Sequence, residues 1–265
     1  MNEAAQQSAA IIGARCPFET IDLAIIIGNE LRGVSDALIV HDRIAYSALP
    51  GFPIGAGVEN AAVIIGTIDD VSTLVLQGVT TFHQTGDTSL MSGPMETLAL
   101  LGANMVVMIG VAHSVNADFQ SGAFVAVSDH INITGVDPLI GDTSATVDLT
   151  EAYDRRLLRR LKLAATTAVT PMMEGVLMWF SGPSWQTPAE ARMARTLGAD
   201  LIGWSIAPEA ILARRFGLPF AAIALVTSYA AGFAGGRPSP EQTATALAAN
   251  IGPLKRLLKT FVRAA

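Results

Sequence analysis

The stretch from Asn104 to Ala112, near the middle of the chain, is apolar at every position after Asn104. Gly102 precedes it and the polar pair His113-Ser114 follows it, so the run is bounded by turn signals on both sides. A run this short is typical of a strand, and its lack of alternation indicates a central strand covered on both faces. Other strands must therefore flank it, and helices must cover both faces of the sheet.

Further short runs rich in Val, Ile and Leu alternate with longer segments that have helical character. The predicted strands are 21–28, 61–68, 72–78, 104–112, 123–133, 170–180, 201–204 and 219–227, and the predicted helices are 93–102, 149–162, 188–197, 208–216 and a last one capped by Ser239. Two predicted strands follow each other across Asp69-Asp70, which indicates a mixed sheet. The order predicts an α/β fold: a single domain, residues 21–265, with a mixed central β-sheet and helices on both faces, preceded by an N-terminal segment, residues 1–20.

Composition supports a large core and excludes several classes of partner. Hydrophobic residues make up 51% of the chain and charged residues 15%, with a net charge of -6 and no basic stripe interleaved with aromatics. A nucleic-acid partner is therefore disfavoured. Cys16 is the only cysteine, which excludes an internal disulfide and favours a reducing compartment. With no secretory signal and no apolar stretch of the ~20 residues that a spanning helix needs, we expect a cytoplasmic protein without a membrane partner.

Ligands of open α/β sheets bind beyond the carboxyl ends of the strands, so the loops there are candidates for a site. They are residues 28–30, 77–87, 110–116, 181–187, 203–209 and 227–232. No phosphate-binding Gly-rich loop ending in Lys-Ser/Thr, no nucleophile elbow and no metal-ligand spacing occurs in the sequence. We therefore expect neither a cofactor nor a metal, and a site built from polar and aromatic side chains.

Short motifs in these loops and between them, in a fixed order from the first strand to the last helix, carry a family resemblance. They are Gly28-Asn29-Glu30-Leu31-Arg32-Gly33, Gln77-Gly78 with Phe82-His83, Val115-Asn116, Ser128-Asp129-His130-Ile131-Asn132, Ala152-Tyr153-Asp154, Gly182-Pro183-Ser184-Trp185-Gln186-Thr187, Gly198-Ala199-Asp200, Gly203-Trp204-Ser205 with Pro208-Glu209, and Val226-Thr227 with Tyr229-Ala230-Ala231-Gly232. The sequence resembles the trimeric nucleoside phosphorylases, including the methylthioadenosine and methylthioinosine phosphorylases. The resemblance implies their fold, a homotrimer, and cleavage of the N-glycosidic bond of a purine or 5′-methylthiopurine nucleoside with inorganic phosphate as co-substrate.

The resemblance implies phosphate-binding roles for Asn29, His83 and Ser205, with His83 and Ser205 also catalytic. Three features depart from the family. Glu30 replaces a glycine of the first loop, the Gln77–His83 loop is two residues longer and lacks the family's arginine, and Glu59 stands where the family has a further histidine. A carboxylate repels phosphate, and the missing guanidinium removes a bidentate contact. The phosphate set is therefore expected to be incomplete.

The base and sugar contacts are altered as well. The substrate-binding residues that the resemblance implies are Val111, Ala112, Trp185, Gln186, Trp204, Ser228 and Pro240. His113 replaces a glycine of the small-residue turn and is a candidate catalytic acid or base. Gln186 replaces a glutamate that selects a ring N–H, and Pro240 replaces a histidine at the 5′ end of the sugar, as in members that accept 5′-methylthio groups. His41, in a predicted turn, and His130 are expected to be structural.

Three functions remain open at this point. The first is a phosphorylase of unusual specificity that uses Asn29, His83 and Ser205. The second is a nucleoside hydrolase, in which Glu30, Glu59 or His113 activates water. The third is a non-catalytic nucleoside-binding homologue whose site has degenerated.

Overall fold

The computed structural model describes residues 2–55, 58, 60–142 and 146–264. The strands in this part of the chain are β1 (Leu23–Ile27), β2 (Ile39–Ala45), β3 (Ala62–Ile68), β4 (Val71–Gln77), β5 (Val106–Ser114), β6 (Phe124–Asn132), β7 (Met172–Trp179), β8 (Leu201–Gly203) and β9 (Phe220–Tyr229). The α-helices are α1 (Glu3–Arg15), α2 (Phe82–Thr85), α3 (Ser92–Leu100), α4 (Arg155–Thr167), α5 (Pro188–Thr196), α6 (Ala207–Arg215) and α7 (Pro240–Arg263). Short 3-10 helices cover Asn29–Ala37, Tyr46–Ala48 and Ser89–Met91.

The strands form one mixed sheet in the order β2-β3-β4-β1-β5-β8-β7-β6-β9, and β9 also pairs with β5. Strand β1 runs parallel to β4 and β5, β5 runs parallel to β9, and β3 and β4 form an antiparallel hairpin. The predicted mixed sheet is therefore confirmed. Because β9 pairs with both β6 and β5, the part of the sheet from β5 to β9 closes on itself, with the apolar run of β5 at its centre.

Two apolar layers hold helices against the sheet. On one face, Leu161 of α4 and Leu254 of α7 pack with Ile25 of β1. On the other, Ile12 of α1, with α3 and α6, packs against Ala24 and Ile26 of the same strand. All five side chains of β1 are buried, and full burial of a large aliphatic side chain contributes about 1.5–3 kcal/mol. None of the helices in the described part of the chain combines the length and apolar character that crossing a membrane demands.

Two segments differ from the sequence-based expectation. Helix α4 begins at Arg155, six residues after the predicted start at Leu149, because the Asp154 side chain accepts the first free amides, those of Arg156 and Leu157. Strand β2 was not predicted: most of its side chains are exposed and it has no apolar alternation, so His41 lies in an edge strand rather than in a turn. The predicted cap of α7 is confirmed, since Ser239 Oγ accepts a hydrogen bond from the Gln242 amide.

Candidate active site

A cavity of about 560 Å³ opens where β1, β5, β8 and β9 end. Residues 28–30 follow β1, residues 111–113 end β5, residues 203–205 end β8, and Thr227 lies near the end of β9. The segment after β4 and the first two turns of α7 close the remaining sides. The sheet therefore brings together loops that are far apart in sequence, at the edge where such sheets bind ligands.

Most of the predicted site residues line this cavity. They are Asn29, His83, Val111, Ala112, His113, Trp185, Trp204, Ser205 and Pro240. Gln186 and Ser228 do not line it: both are buried, and Ser228 instead lines an adjoining hollow. Glu59 lies outside the described residues.

The sequence-based prediction missed several wall residues. They are Thr81, Gln84, Ile202, Thr227, Thr243, Ala244 and Leu247. A signal for the last three was available, because Ser239 as N-cap places positions 240, 243, 244 and 247 on one helical face. Thr81, Gln84 and Thr227 fall in the candidate loops 77–87 and 227–232, although none of the three was singled out. No comparable signal marks Ile202, which meets the cavity only through the arrangement of β8.

Ser205 stands on a tightly held loop between β8 and α6. A Cβ on Gly110 would lie 3.0 Å from Ser205 Oγ and 3.0 Å from Ile206 Cδ1, so the bare glycine of β5 lets this loop approach the sheet. Ile206 is fully buried and has a φ of 82°, a strained value for a branched residue. Its amide donates a 2.8 Å hydrogen bond to Glu209 Oε2. The hydroxyl of Ser205 has no hydrogen-bond partner in the described part of the chain and is open to a ligand.

His83 shares the same end of the cavity with Trp204. Its Nδ1 lies 2.9 Å from Thr81 Oγ1, and its ring meets Trp204 edge-on at 5.2 Å. Gly182, at a φ of 69°, lies against both, since a Cβ there would be 3.1 Å from His83 Cβ and 3.2 Å from the Trp204 ring. Partial burial lowers the pKa of His83, which favours a neutral ring at pH 7.

Glu30 places a carboxylate at the end of the cavity where Asn29 begins a 3-10 helix. A Cβ on Gly28 would overlap the Glu30 carboxylate, so the side chain folds back over the first loop. Desolvation raises the pKa of Glu30, against a hydrogen bond from its own backbone amide that lowers it. No lysine or arginine is among the described residues of the cavity wall. An anion bound here would meet neutral donors and one acid rather than a cation.

His113 is a further titratable residue of the cavity wall. The pairing of β5 with β9 shifts register after Ala112, which places His113 beside Ser228. The ring Nδ1 lies 2.9 Å from Ser228 Oγ and 3.5 Å from Thr227 Oγ1, and Trp185 meets the ring edge-on at 6.3 Å. Burial lowers the pKa of His113 to about 4. The imidazole is therefore neutral at pH 7 and suited to hydrogen bonding rather than to donating a proton as a cation.

The buried amide of Gln186 is the other polar group behind this wall. The residue follows Trp185 and is only 5% exposed, and its side chain has no hydrogen-bond partner within the described ranges. An amide without a protein partner can donate to and accept from a ligand. No group of three or more His, Cys, Asp or Glu side chains in the described ranges is placed to hold a metal ion.

The sheet topology and the position of the cavity define an α/β protein with a candidate small-molecule site at its strand ends. Comparison with known proteins gives the family. The family model described as "Phosphorylase superfamily" matches residues 22–263, and the chain belongs to this superfamily.

The similar proteins are named as purine nucleoside phosphorylases. The one from Mycobacterium leprae is 36% identical over 97% of this chain and 93% of its own length. Purine nucleoside phosphorylase 1 of Bacillus subtilis is 30% identical over 88% of each chain. Among solved structures, a schistosoma purine nucleoside phosphorylase in complex with hypoxanthine superposes with a TM-score of 0.87 at 25% identity, covering 98% of this chain and 96% of that one. The predicted family and fold are therefore confirmed.

Proposed function

We propose that this protein is a nucleoside phosphorylase that cleaves the N-glycosidic bond of a purine or 5′-methylthiopurine nucleoside. Phosphate attacks the anomeric carbon, the bond to the base breaks with its electron pair leaving on the base, and a sugar 1-phosphate forms. The observation that carries the proposal is one cavity at the strand ends whose wall combines the polar residues Asn29, His83 and Ser205 with the aromatic residues Trp185 and Trp204. The names of the similar proteins support it.

The chemistry of glycosidic-bond cleavage defines what the phosphate-binding residues must do. In the transition state the sugar carries positive charge and the base negative charge, so preorganised donors and a held anion lower the barrier. Asn29, His83 and Ser205 hold inorganic phosphate beneath the sugar. The phosphate stabilises the cationic ring until the new bond forms.

The remaining residues bind the nucleoside. Val111 and Ala112 place backbone against the sugar, Trp204 packs under it, and Pro240 gives its 5′ end an apolar neighbour. Trp185 covers the base. Gln186 is the proposed reader of a polar edge of the base, since an amide both donates and accepts, and its side chain must turn from behind the wall toward the cavity to do so.

Hydrolysis is the second candidate, and Glu30 favours it. Its carboxylate lies in the cavity wall although the residue is partly open to solvent, and desolvation raises its pKa. In this alternative, Glu30 takes a proton from water and water replaces phosphate as the nucleophile. The absence of lysine and arginine from the described cavity wall weakens phosphate binding and suits this route.

We further propose a cytoplasmic homotrimer in which residues 21–265 form one domain behind the segment 1–20. Ile133 is 57% exposed and Ile140 70% exposed, and large apolar side chains at such positions favour subunit contacts. The partner in solution is a small nucleoside, and neither a nucleic acid nor a membrane is involved. Phosphate is the co-substrate and no cofactor is required.

Base release from purine nucleosides and 5′-methylthiopurine nucleosides, measured with and without phosphate, tests the proposal. Release that depends on phosphate and yields sugar 1-phosphate supports the phosphorylase. Equal release without phosphate contradicts it and identifies the hydrolase. Stabilisation by nucleosides without any release identifies a binding protein.

A further inference from the structure

His113 lies where the pairing of strands β5 and β9 shifts by one residue. Along the parallel pair β5–β9, Ala112 is opposite Val226 but His113 is opposite Ser228, so Thr227 is the extra residue on β9. Such a bulge re-aims the side chains around it. Here it brings two hydroxyl groups, those of Thr227 and Ser228, to the Nδ1 side of the His113 ring.

The hydroxyl groups of Ser228 and Thr227 each have a backbone carbonyl oxygen within hydrogen-bonding distance, away from the His113 ring. Ser228 Oγ lies 3.0 Å from the Tyr229 carbonyl oxygen, and Thr227 Oγ1 lies 3.4 Å from the Ala112 carbonyl oxygen. A carbonyl only accepts, so each hydroxyl donates its single proton there and has only lone pairs left for His113. The ring nitrogen Nδ1 must then carry the proton and donate it to Ser228.

This network leaves Nε2 with a free lone pair. Burial lowers the pKa of His113 to about 4, so the ring has one proton at pH 7 and Nε2 is unprotonated. Nε2 has no hydrogen-bond partner among the described residues. The ring lines the cavity while its partner Ser228 lies behind it, in the wall of the adjoining hollow.

We propose that His113 determines base specificity by offering Nε2 as an acceptor to a ring N–H or an exocyclic amino group of the nucleobase. The inference rests on the proposed function, because it takes the cavity ligand to be a nucleoside. A base with such a donor satisfies the acceptor, whereas a base with acceptors alone leaves two lone pairs facing each other. Because an unpaired polar group is costly in a buried site, discrimination of about tenfold follows.

The tautomer is measured first, on the full chain without ligand. Long-range nitrogen–proton NMR distinguishes the two neutral tautomers, and the chain has only four histidines, which makes assignment by single substitution practical. We expect His113 in the Nδ1–H form, and a rise of the Nε2–H form in Ser228→Ala. An Nε2–H ring in the wild-type protein overturns the proposal.

Ligand binding is measured next, by calorimetry without phosphate. Adenosine carries an amino group and inosine a ring N–H, whereas unsubstituted purine riboside has no donor on its base. We expect the tighter of the first two to bind about tenfold better than purine riboside. His113→Phe fills the volume of the ring without an acceptor and should remove this preference. His113→Gln keeps an acceptor oxygen and should retain it.

The outcomes separate this inference from the proposed function. Equal binding of all three nucleosides by the wild-type protein, or an unchanged preference in His113→Phe, overturns the role of His113 even if phosphate-dependent release is observed. A preference that follows His113 while no nucleoside is cleaved supports the specificity role and contradicts the phosphorylase. Failure of all three to bind contradicts both.

Discussion

Ser205 and Glu30 both line the cavity and have opposite effects on an anion. The open hydroxyl of Ser205 donates, and the Glu30 carboxylate repels. Neither effect depends on a large conformational change, because the Ser205 loop is held by Glu209 and the Glu30 side chain lies over Gly28. Single substitutions at the two positions therefore measure separately how much the Ser205 hydroxyl attracts phosphate and how much the Glu30 carboxylate repels it.

Ser205→Ala removes a donor to phosphate and nothing else in the wall. We expect the KM for phosphate to rise about tenfold, the loss of one hydrogen bond to a charged group, with a smaller effect on nucleoside binding. Initial-rate kinetics with each substrate varied in turn measure both. Ser89→Ala, at the exposed first residue of the 3-10 helix Ser89–Met91, is the matched control. Full phosphorolysis at an unchanged KM would show that Ser205 does not hold phosphate.

Glu30→Gln removes the negative charge at nearly constant size. For a phosphorylase, we expect the KM for phosphate to fall several-fold, since one like charge near the anion is gone. For a hydrolase, the same variant loses its general base, and phosphate-independent release falls by about 100-fold or more. Glu19→Gln is the control, at an exposed position outside the cavity. No change in either reaction would remove Glu30 from the site.

At the scale of elements, the cavity depends on close packing between loops. Gly182 is the contact point between the loop after β7, the first turn of α2 and the loop after β8. Helix α6 holds the loop that carries Ser205. Its Glu209 side chain accepts the hydrogen bond of the Ile206 amide and so keeps Ile206 at its positive φ.

Gly182→Ala tests whether this packing places His83 and Trp204. The added methyl group would meet both side chains at 3.1–3.2 Å, at a backbone φ of 69°. We expect a loss of about 1–2 kcal/mol of stability from the positive φ, and in addition a fall in kcat/KM of tenfold or more. Gly198→Ala has the same backbone cost at a φ of 98° with nothing within 4 Å. Equal kcat/KM in the two variants would refute the positioning role.

Glu209→Gln tests the buried carboxyl of α6. Burial raises the pKa of Glu209 from 4.5 to about 7, and its Oε1 has no hydrogen-bond partner in the described structure. The folded protein therefore binds a proton more tightly than the unfolded chain. This stabilisation is present below pH 4.5 and is lost as the pH rises through about 7.

Relative to Glu209→Gln, we expect the wild-type protein to lose roughly 2–3 kcal/mol of unfolding free energy between pH 5 and pH 8. Unfolding curves of both proteins across this range measure the difference. The comparison cancels the contributions of His83, His113 and His130, whose lowered pKa values act in the opposite direction. Parallel curves for the two proteins would contradict the raised pKa.

At the scale of the whole molecule, the prediction to test is that three copies of the chain form a homotrimer. We expect sedimentation velocity to give three times the chain mass of 27.7 kDa. Ile140→Glu, which adds charge to an apolar side chain that is 70% exposed, should shift the protein toward smaller species. Leu163→Glu, at a 59% exposed position on α4, is the control. A monomer at assay concentrations would exclude the proposed trimer.

The apolar runs and the turn signals were enough to predict most of the sheet. Burial on both faces leaves β1, and β5 as far as Ala112, without polar positions, so these apolar runs indicate central strands directly. Strand β2 was missed because its exposed side chains carry no such pattern, and the start of α4 was misplaced because a single capping aspartate decided it. The candidate loops predicted which segments meet, since each follows a predicted strand.

The sequence by itself therefore determined the fold class, the family and most of the cavity wall. The tertiary structure decided the chemistry of individual groups. It placed Ser228 behind His113 rather than in the cavity, through a register shift that no local pattern indicates. It also gave Glu30 and Glu209 their raised pKa values and left Gln186 without a partner, because desolvation and hydrogen bonding depend on atoms that are remote in sequence and meet only in the folded chain.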